Sequence, residues 1–90
     1  MTSGPVGASG AGVDVTIRYW ASARAAAGVE SERFGGHRVG DVLEAAAAAH
    51  TGLGVVLEVS TILLDGHPVT DSELLSEGTI LEVLPPFAGG

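Results

Sequence analysis

Apolar and polar residues alternate along residues 13–20, VDVTIRYW. Successive side chains of a β-strand point to opposite faces, so this pattern predicts a strand with one face in the core. Trp20 interrupts the alternation and is expected to cover the following turn. The apolar positions of this strand share one face: Val13, Val15, Ile17 and Tyr19.

Residues 21–28, ASARAAAG, predict one or two turns of helix. Gly28 is expected to end this helix, because glycine readily adopts the left-handed conformation of a C-cap. Residues 29–34, VESERF, alternate again, and their shortness and polarity predict an edge strand. Residues 35–38, GGHR, predict a turn.

Residues 39–50, VGDVLEAAAAAH, carry the strongest helical pattern of the chain. Alanine raises the helix propensity, and the acidic Asp41 and Glu44 are favourable near a helix N-terminus. This segment therefore predicts the main helix, which Thr51 and Gly52 end. The helix has one apolar stripe with a histidine at its end: Val39, Val42, Leu43, Ala46 and His50.

Residues 53–60, LGVVLEVS, fit either a loop or a second apolar segment.

The residues after this segment predict a hairpin. Residues 61–69, TILLDGHPV, predict a strand, a turn at Asp65 and Gly66, and a short return strand.

Residues 70–78, TDSELLSEG, predict a connector before the last strand. Within it, Asp71 or Ser72 is expected to cap a single helical turn that carries Leu74 and Leu75.

Residues 79–85, TILEVLP, predict the final strand. A long helix between strands is typical of a crossover connection, so the first and last strands are expected to be parallel neighbours in the sheet centre. The predicted fold class is therefore an α+β roll, in which a mixed sheet of four to five strands carries one main helix on one face. Residues 1–12 predict a disordered Gly/Ser/Ala tail, residues 13–84 the folded domain, and residues 85–90 a flexible tail.

Composition excludes several function classes. The net charge is −7, with no lysine and four scattered arginines, which argues against nucleic-acid binding. The acidity favours solubility or steering towards a basic partner. The chain has no cysteine, which excludes disulfides, cysteine-ligated zinc and a thiol nucleophile. Without a membrane-spanning apolar run or a signal-peptide pattern, the expected compartment is the cytoplasm, with no membrane partner.

The internal polar residues do not form a catalytic pattern. His37, His50 and His67 lie in three separate segments without metal-ligand spacing, so no metal site is predicted. Asp41 and Glu44 are better explained by a solvated first helical turn than by a carboxylate pair. We therefore expect neither a bound cofactor nor an internal active site.

The last residues, LPPFAGG, carry the strongest functional signal. Pro85 and Pro86 lack a backbone N–H, so they end strand pairing and stiffen the exit from the fold. Gly89 and Gly90 have no side chains and fit a narrow channel. An unhindered terminal carboxylate can attack the α-phosphate of ATP to form an acyl-adenylate. A sulfur donor can then displace AMP and leave a thiocarboxylate.

These features resemble the β-grasp sulfur carriers related to ubiquitin, the MoaD/ThiS type. Within that family the chain is most similar to the small subunits of molybdopterin synthase, the MoaD type. The resemblance spans residues 13–90. It rests on the segments VTIRYWASARAAAG, VGDVLEAAAAAH, LLDGHPV and EGTILEVLPPFAGG, of which LPPFAGG is the most specific.

The resemblance implies roles for the tail and its partners. Gly90 would be adenylated and then thiocarboxylated, Gly89 would be its slender neighbour, and the stretch Pro85, Pro86, Phe87 and Ala88 would enter the large subunit. A ubiquitin-activating-like enzyme would consume ATP to load the carrier, and a sulfur donor protein would supply sulfur. The large subunit, in a heterotetramer, would build the molybdopterin dithiolene from cyclic pyranopterin monophosphate. The carrier alone would then be non-catalytic.

Two positions depart from the family pattern. Arg38 precedes the main helix where such carriers often have a capping threonine, so the helix cap must be weaker or differently made. Residues 53–60 match poorly.

An apolar docking patch beside the tail is also expected. Ile80 and Leu84 share a face of the last strand and would join Phe87 in an exposed patch. The alternative is that these residues merely cover the second face of the sheet.

Other functions stay open at this point. The same loading chemistry serves sulfur carriers of thiazole or cysteine biosynthesis. A ubiquitin-like protein modifier would use the same activated tail, although a chain without lysine cannot build side-chain-linked polymers of itself. A plain interaction domain with an inert tail is the remaining alternative.

Overall fold

A computed structural model describes residues 12–86 of the chain. The predictions for residues 1–11 and 87–90 lie outside the described residues. The described chain contains these elements in order: β1 (Val13–Tyr19), α1 (Ala21–Ala27), β2 (Ser31–Gly36), α2 (Val39–Ala49), α3 (Leu53–Val59), β3 (Thr61–Leu64), β4 (His67–Pro68) and β5 (Ile80–Leu84).

The strands form one mixed sheet in the order β2-β1-β5-β3-β4. Strands β1 and β5 are parallel neighbours, whereas the other adjacent pairs are antiparallel. The central parallel pair confirms the crossover predicted from the long helix. It also places the end of β5 between two paired strands, so the chain leaves the fold from the middle of the sheet.

The core lies between one face of this sheet and the three helices. Alternate residues of β1 and β5 point into it, as the polar and apolar pattern predicts. Burial of this apolar surface supplies the main driving force for folding. The α+β prediction is confirmed: the sheet has five strands, and α2 is the main helix among the three on the covered face. The most deeply buried large side chains are Val15, Ile17, Tyr19, Val39, Val42, Leu53, Leu81 and Val83.

The first half of the chain follows the predicted elements with one shift. Gly28 ends α1 at φ 79°, and its backbone N–H donates to the Arg24 carbonyl at 2.8 Å. The edge strand β2 was predicted at residues 29–34 but covers Ser31–Gly36. The predicted turn at residues 35–38 is therefore wrong for Gly35 and Gly36, which pair with β1. Glycine has low strand propensity, so the local pattern favoured a turn.

Helix α2 has an N-terminus that Arg38 does not cap with its side chain. The Asp41 carboxylate accepts hydrogen bonds from the backbone N–H groups of His37 and Arg38, both at 2.9 Å. The backbone N–H groups of Val39 and Gly40 donate to carbonyls of the connector, at Glu73 and Asp71 respectively. The expectation of a differently made cap is confirmed, and the connector supplies part of it.

In two segments of the second half of the chain, tertiary contacts decide the conformation. The sequence of residues 53–60 fits either a loop or an apolar segment; in the structure Leu53–Val59 form helix α3, in which Leu53 is buried, and Ser60 follows as its C-cap. The helical turn predicted in the connector is wrong, because Leu74 forms a bridge with Arg38 and the Leu75 N–H donates to the His37 carbonyl. Pairing with the start of α2 competes successfully with a single helical turn, which is unstable alone.

Within residues 12–86, the longest helix is α2, and neither it nor any other helix combines the length and apolarity needed to cross a membrane.

Candidate partner-binding site

Strand β5 leads from the core to the proline pair. Leu81 and Val83 are fully buried against the helices. Ile80, at 40% exposure, Glu82 and Leu84 alternate with them and face the other side. We call this helix-free side of the sheet the outer face. Because β5 is central, its outward side chains lie near the middle of that face.

The strand register decides which side chains adjoin the outward residues of β5. Ile80 lies beside Thr16 of β1, and Leu84 lies beside Thr61 of β3. Glu82 lies between Arg18 on one neighbour and Leu63 on the other. On the outer face, the side chains along β5 are therefore apolar at both ends of the strand and charged in the middle.

Trp20 is the aromatic residue of this face. Its indole N–H donates to the Glu82 carboxylate at 3.3 Å, and the Arg18 guanidinium lies 5.1 Å from its ring centroid. The side chain is 38% exposed. Trp20 was expected to cover the next turn, and its role at the outer face was missed. The break in alternation marked the residue, but only the parallel pairing of β1 with β5 brings Glu82 to it.

The predicted site residues fall into two groups. Phe87, Ala88, Gly89 and Gly90 lie outside the described residues. Within the described part, Pro85 is half-buried and Pro86 is exposed.

Ile80 and Leu84 share the outer face, but they are four residue steps apart along the strand, which is about 13 Å. They therefore form two separate apolar positions on either side of Glu82, and Leu63 of β3 lies beside Glu82.

A polar network on the covered side of the sheet is separate from this face. The Tyr19 hydroxyl donates to the Glu32 carboxylate at 2.7 Å, and the same carboxylate oxygen contacts His50 Nε2 at 2.5 Å. Burial of the phenol, followed by the hydrogen bond to Glu32 and its negative charge, raises the pKa of Tyr19 well above its ordinary value. The network joins the end of α2 to the edge strand β2 and is best explained as structural.

The described residues offer surface rather than catalytic machinery. Among residues 12–86, no group of three or more His, Asp or Glu side chains is arranged to hold a metal ion. The chain has no cysteine, and the polar groups of the outer face around β5 include Arg18, Glu82 and Trp20. Such an arrangement can bind another protein beside the end of β5.

Comparison with known proteins places this arrangement in a family. The ThiS family profile matches residues 17–90. The molybdopterin synthase sulfur carrier subunit of Chlamydomonas reinhardtii is 30% identical over 83 residues, which cover 87% of this chain and 100% of that protein.

Two solved structures share the fold closely. The putative molybdopterin converting factor subunit 1 of Pyrococcus furiosus superposes with a TM-score of 0.75 and 28% identity, covering 83% of this chain and 99% of that one. SAMP1, the small archaeal modifier protein 1 of Haloferax volcanii, superposes with a TM-score of 0.78 and 25% identity, covering 86% and 99%.

These matches confirm the predicted β-grasp, ubiquitin-like fold, and they extend over the sheet, the helices and the end of the chain. The chain therefore belongs to the ThiS family, the group of ubiquitin-like sulfur carriers that its sequence resembles.

Proposed function

We propose that this protein is the sulfur carrier subunit of a molybdopterin synthase. The observation that carries the proposal is the central strand β5, which is followed by Pro85 and Pro86 and, further along the sequence, by Gly89 and Gly90. Membership of the ThiS family supports carriage of sulfur. The identity to a molybdopterin synthase sulfur carrier subunit over that protein's whole length supports the choice of acceptor.

In this proposal the carboxylate of Gly90 is the reacting group. It attacks the α-phosphorus of ATP in the activating enzyme, and pyrophosphate leaves. Hydrosulfide-level sulfur supplied by the donor protein then attacks the acyl carbon, AMP leaves, and the thiocarboxylate forms. Gly89 has no side chain, so the chain next to this carboxyl carbon is slender enough to enter a narrow channel. Pro85, which is half-buried, and Pro86, which is exposed, lack a backbone N–H and so end the strand pairing of β5.

The partner in the final step would be the large subunit of the synthase. The tail would enter its active site. Two loaded carriers in succession would each transfer one sulfur to cyclic pyranopterin monophosphate to form the dithiolene, and water would release each carrier with its Gly90 carboxylate restored. Docking would use the outer face, with Ile80, Leu84 and Phe87 as apolar contacts and Trp20 as an aromatic anchor. Tryptophan is enriched among residues that dominate binding energies, and 38% exposure leaves its ring accessible.

Intact-mass measurement tests the loading chemistry. The protein would be incubated with an adenylating enzyme, ATP and a sulfur source. We expect a mass gain equal to the replacement of one oxygen by sulfur, absent without ATP and absent after deletion of Gly90. An unchanged mass, with an enzyme shown to be active on a related carrier, would contradict the proposal and favour an interaction domain with an inert tail.

Two other acceptors would use the same loaded tail. A carrier for thiazole or cysteine biosynthesis would differ from a molybdopterin synthase subunit only in the partner that accepts the sulfur. Capture of the partner from the native organism therefore separates these functions. A protein-modifier function is favoured by the similarity to SAMP1. Conjugates that persist on a denaturing gel would support it, and their absence with a loaded carrier would exclude it.

A further inference from the structure

A second surface lies on the helical side of the molecule. An open groove of about 830 Å³ runs between α2, α3 and the segment that follows β4. Its volume falls in the range of ligand sites, roughly 300–1,000 Å³. The floor is apolar, with Leu43 and Ile62 buried and Leu57 and Val69 half-buried. The groove is distinct from the outer face that carries Trp20.

The rim of the groove is acidic. Glu44, Glu58 and Asp71 line it and are exposed. None of their carboxylates has a hydrogen bond or ion pair with another residue in the described range 12–86. Arg38 reaches the margin, but its guanidinium donates to the Ser72 carbonyl at 2.6 Å. The lining includes no Lys, Arg or His, so its negative charge is not neutralised by its own residues.

Small residues at Gly54 and Ala47 keep the groove open, whereas Gly40 lets Asp71 pack closely, since a Cβ added there would lie 3.2 Å from the Asp71 Cβ. Gly40 and Gly54 line opposite helices, and Ala47 lies beside Gly54. A Cβ atom added at Gly54 would meet only the Ala47 Cβ, at 3.7 Å, which is an ordinary contact. The chain thus leaves unfilled space above an apolar floor, and a Cβ atom at position 54 would meet no backbone atom outside its own helix within 4 Å.

We infer that this groove binds an amphipathic segment of a partner protein, with an apolar side chain on the floor and Lys or Arg against the rim. The apolar floor gains from burial of an apolar group, and the three carboxylates favour a cationic flank. A second copy of the chain fits poorly, because each copy carries a net charge of −7. The inference does not depend on the sulfur-carrier proposal.

Amide chemical shifts of the full chain test this inference. The probe is a short helical peptide with leucine along one face and arginine along both flanks. We expect saturable shifts at Leu43, Ala47, Gly54 and Leu57, with Arg18 and Glu82 on the outer face unchanged. The same peptide with glutamate in place of arginine should not bind. Absence of shifts with the arginine peptide would overturn the inference.

Matched variants separate specific binding from general charge attraction. Gly54→Leu should fill the groove and abolish the shifts, whereas Gly54→Ala should retain them. Glu58→Lys should weaken binding roughly tenfold, and Glu30→Lys, which changes the net charge equally outside the groove, should not. Equal losses in the two lysine variants would overturn the inference. Groove shifts that depend on the concentration of the protein alone would also overturn it, by indicating a second copy.

Discussion

Single side chains in this protein stabilise particular junctions of the backbone. Asp41 occupies the first turn of α2, where its carboxylate holds the N–H groups of Arg38 and His37. These hydrogen bonds, with that from Arg38 first, lower the pKa of Asp41 below its ordinary value. Tyr19 has its ring in the core at 2% exposure while its hydroxyl binds Glu32. Both side chains act where one element meets the next.

Asp41 makes the folding stability depend on pH in the acid range. Below an ordinary carboxyl pKa of about 3.9, the unfolded chain binds a proton that the folded chain does not. The contribution is therefore complete above that pH and is lost as the pH falls through the lower folded pKa. Asp41→Asn should flatten this dependence, measured by urea unfolding across the acid range. An unchanged slope would contradict the assignment, and Asp71→Asn, whose carboxylate caps nothing, serves as control.

Tyr19 is the single tyrosine of the chain, so phenolate absorbance reports it alone. Free tyrosine ionises with a pKa of about 10. Because the pKa of Tyr19 is raised, we expect no phenolate in the folded protein near that pH. Glu32→Gln removes the adjacent negative charge and should bring ionisation to lower pH, whereas Glu30→Gln should not. Ordinary ionisation in the folded wild-type protein would contradict the observed burial and hydrogen bond.

At the scale of elements, the edge strand β2 packs very closely against the main helix α2. Gly36 ends β2 and is buried. A Cβ atom there would lie 2.8 Å from the Asp41 Cβ and 3.2 Å from Val42 Cγ2. No side chain fits at this distance without a shift of the helix. The pairing of Gly35 and Gly36 with β1 thus depends on packing rather than on strand propensity.

A pair of glycine substitutions tests this account. Gly36→Ala should destabilise the protein by about 1–3 kcal/mol, because the added methyl group forces β2 and α2 apart. Gly54→Ala lies within α3, meets only an ordinary contact, and should stabilise it by up to about 1 kcal/mol. Urea unfolding measures both changes. Equal effects of the two substitutions would show that the close approach at Gly36 does not limit packing.

At the scale of the whole molecule, the sheet separates two surfaces. The helical side carries the core and the acidic groove, and the outer face carries Trp20, Ile80 and Leu84 around Glu82. The outer face is uncovered within the described residues, which leaves apolar side chains accessible beside the chain exit. A protein that binds there lies next to the end of β5 and does not disturb the core.

Leu84→Arg tests docking on the outer face. The side chain is half-buried at the end of β5, so the charge should abolish complex formation with the large subunit while the fold is retained. Val55→Arg, on an exposed position of α3 at 69% exposure, is the matched control and should bind normally. Size-exclusion chromatography with the purified subunit measures the complex. Normal binding by a well-folded Leu84→Arg variant would refute this docking face.

The sequence by itself determined the elements with strong local periodicity. The alternation of Val13 to Tyr19, the helical stripe of α2 and the glycine at the end of α1 each depend on the chain's own geometry, and the structure agrees with all three. The family resemblance also came from local segments and is confirmed by the ThiS family match. These features could be predicted because neighbouring residues along the chain decide them.

Only the tertiary structure decided the features that join distant segments. The shift of β2 to include Gly36, the helix of residues 53–59 and the bridge between Arg38 and Leu74 all depend on partners far along the chain. The same holds for Trp20, whose contact with Glu82 arises from the parallel register of β1 and β5. Hydrophobic burial and strand pairing are satisfied by neighbours in space, so a local pattern cannot specify them.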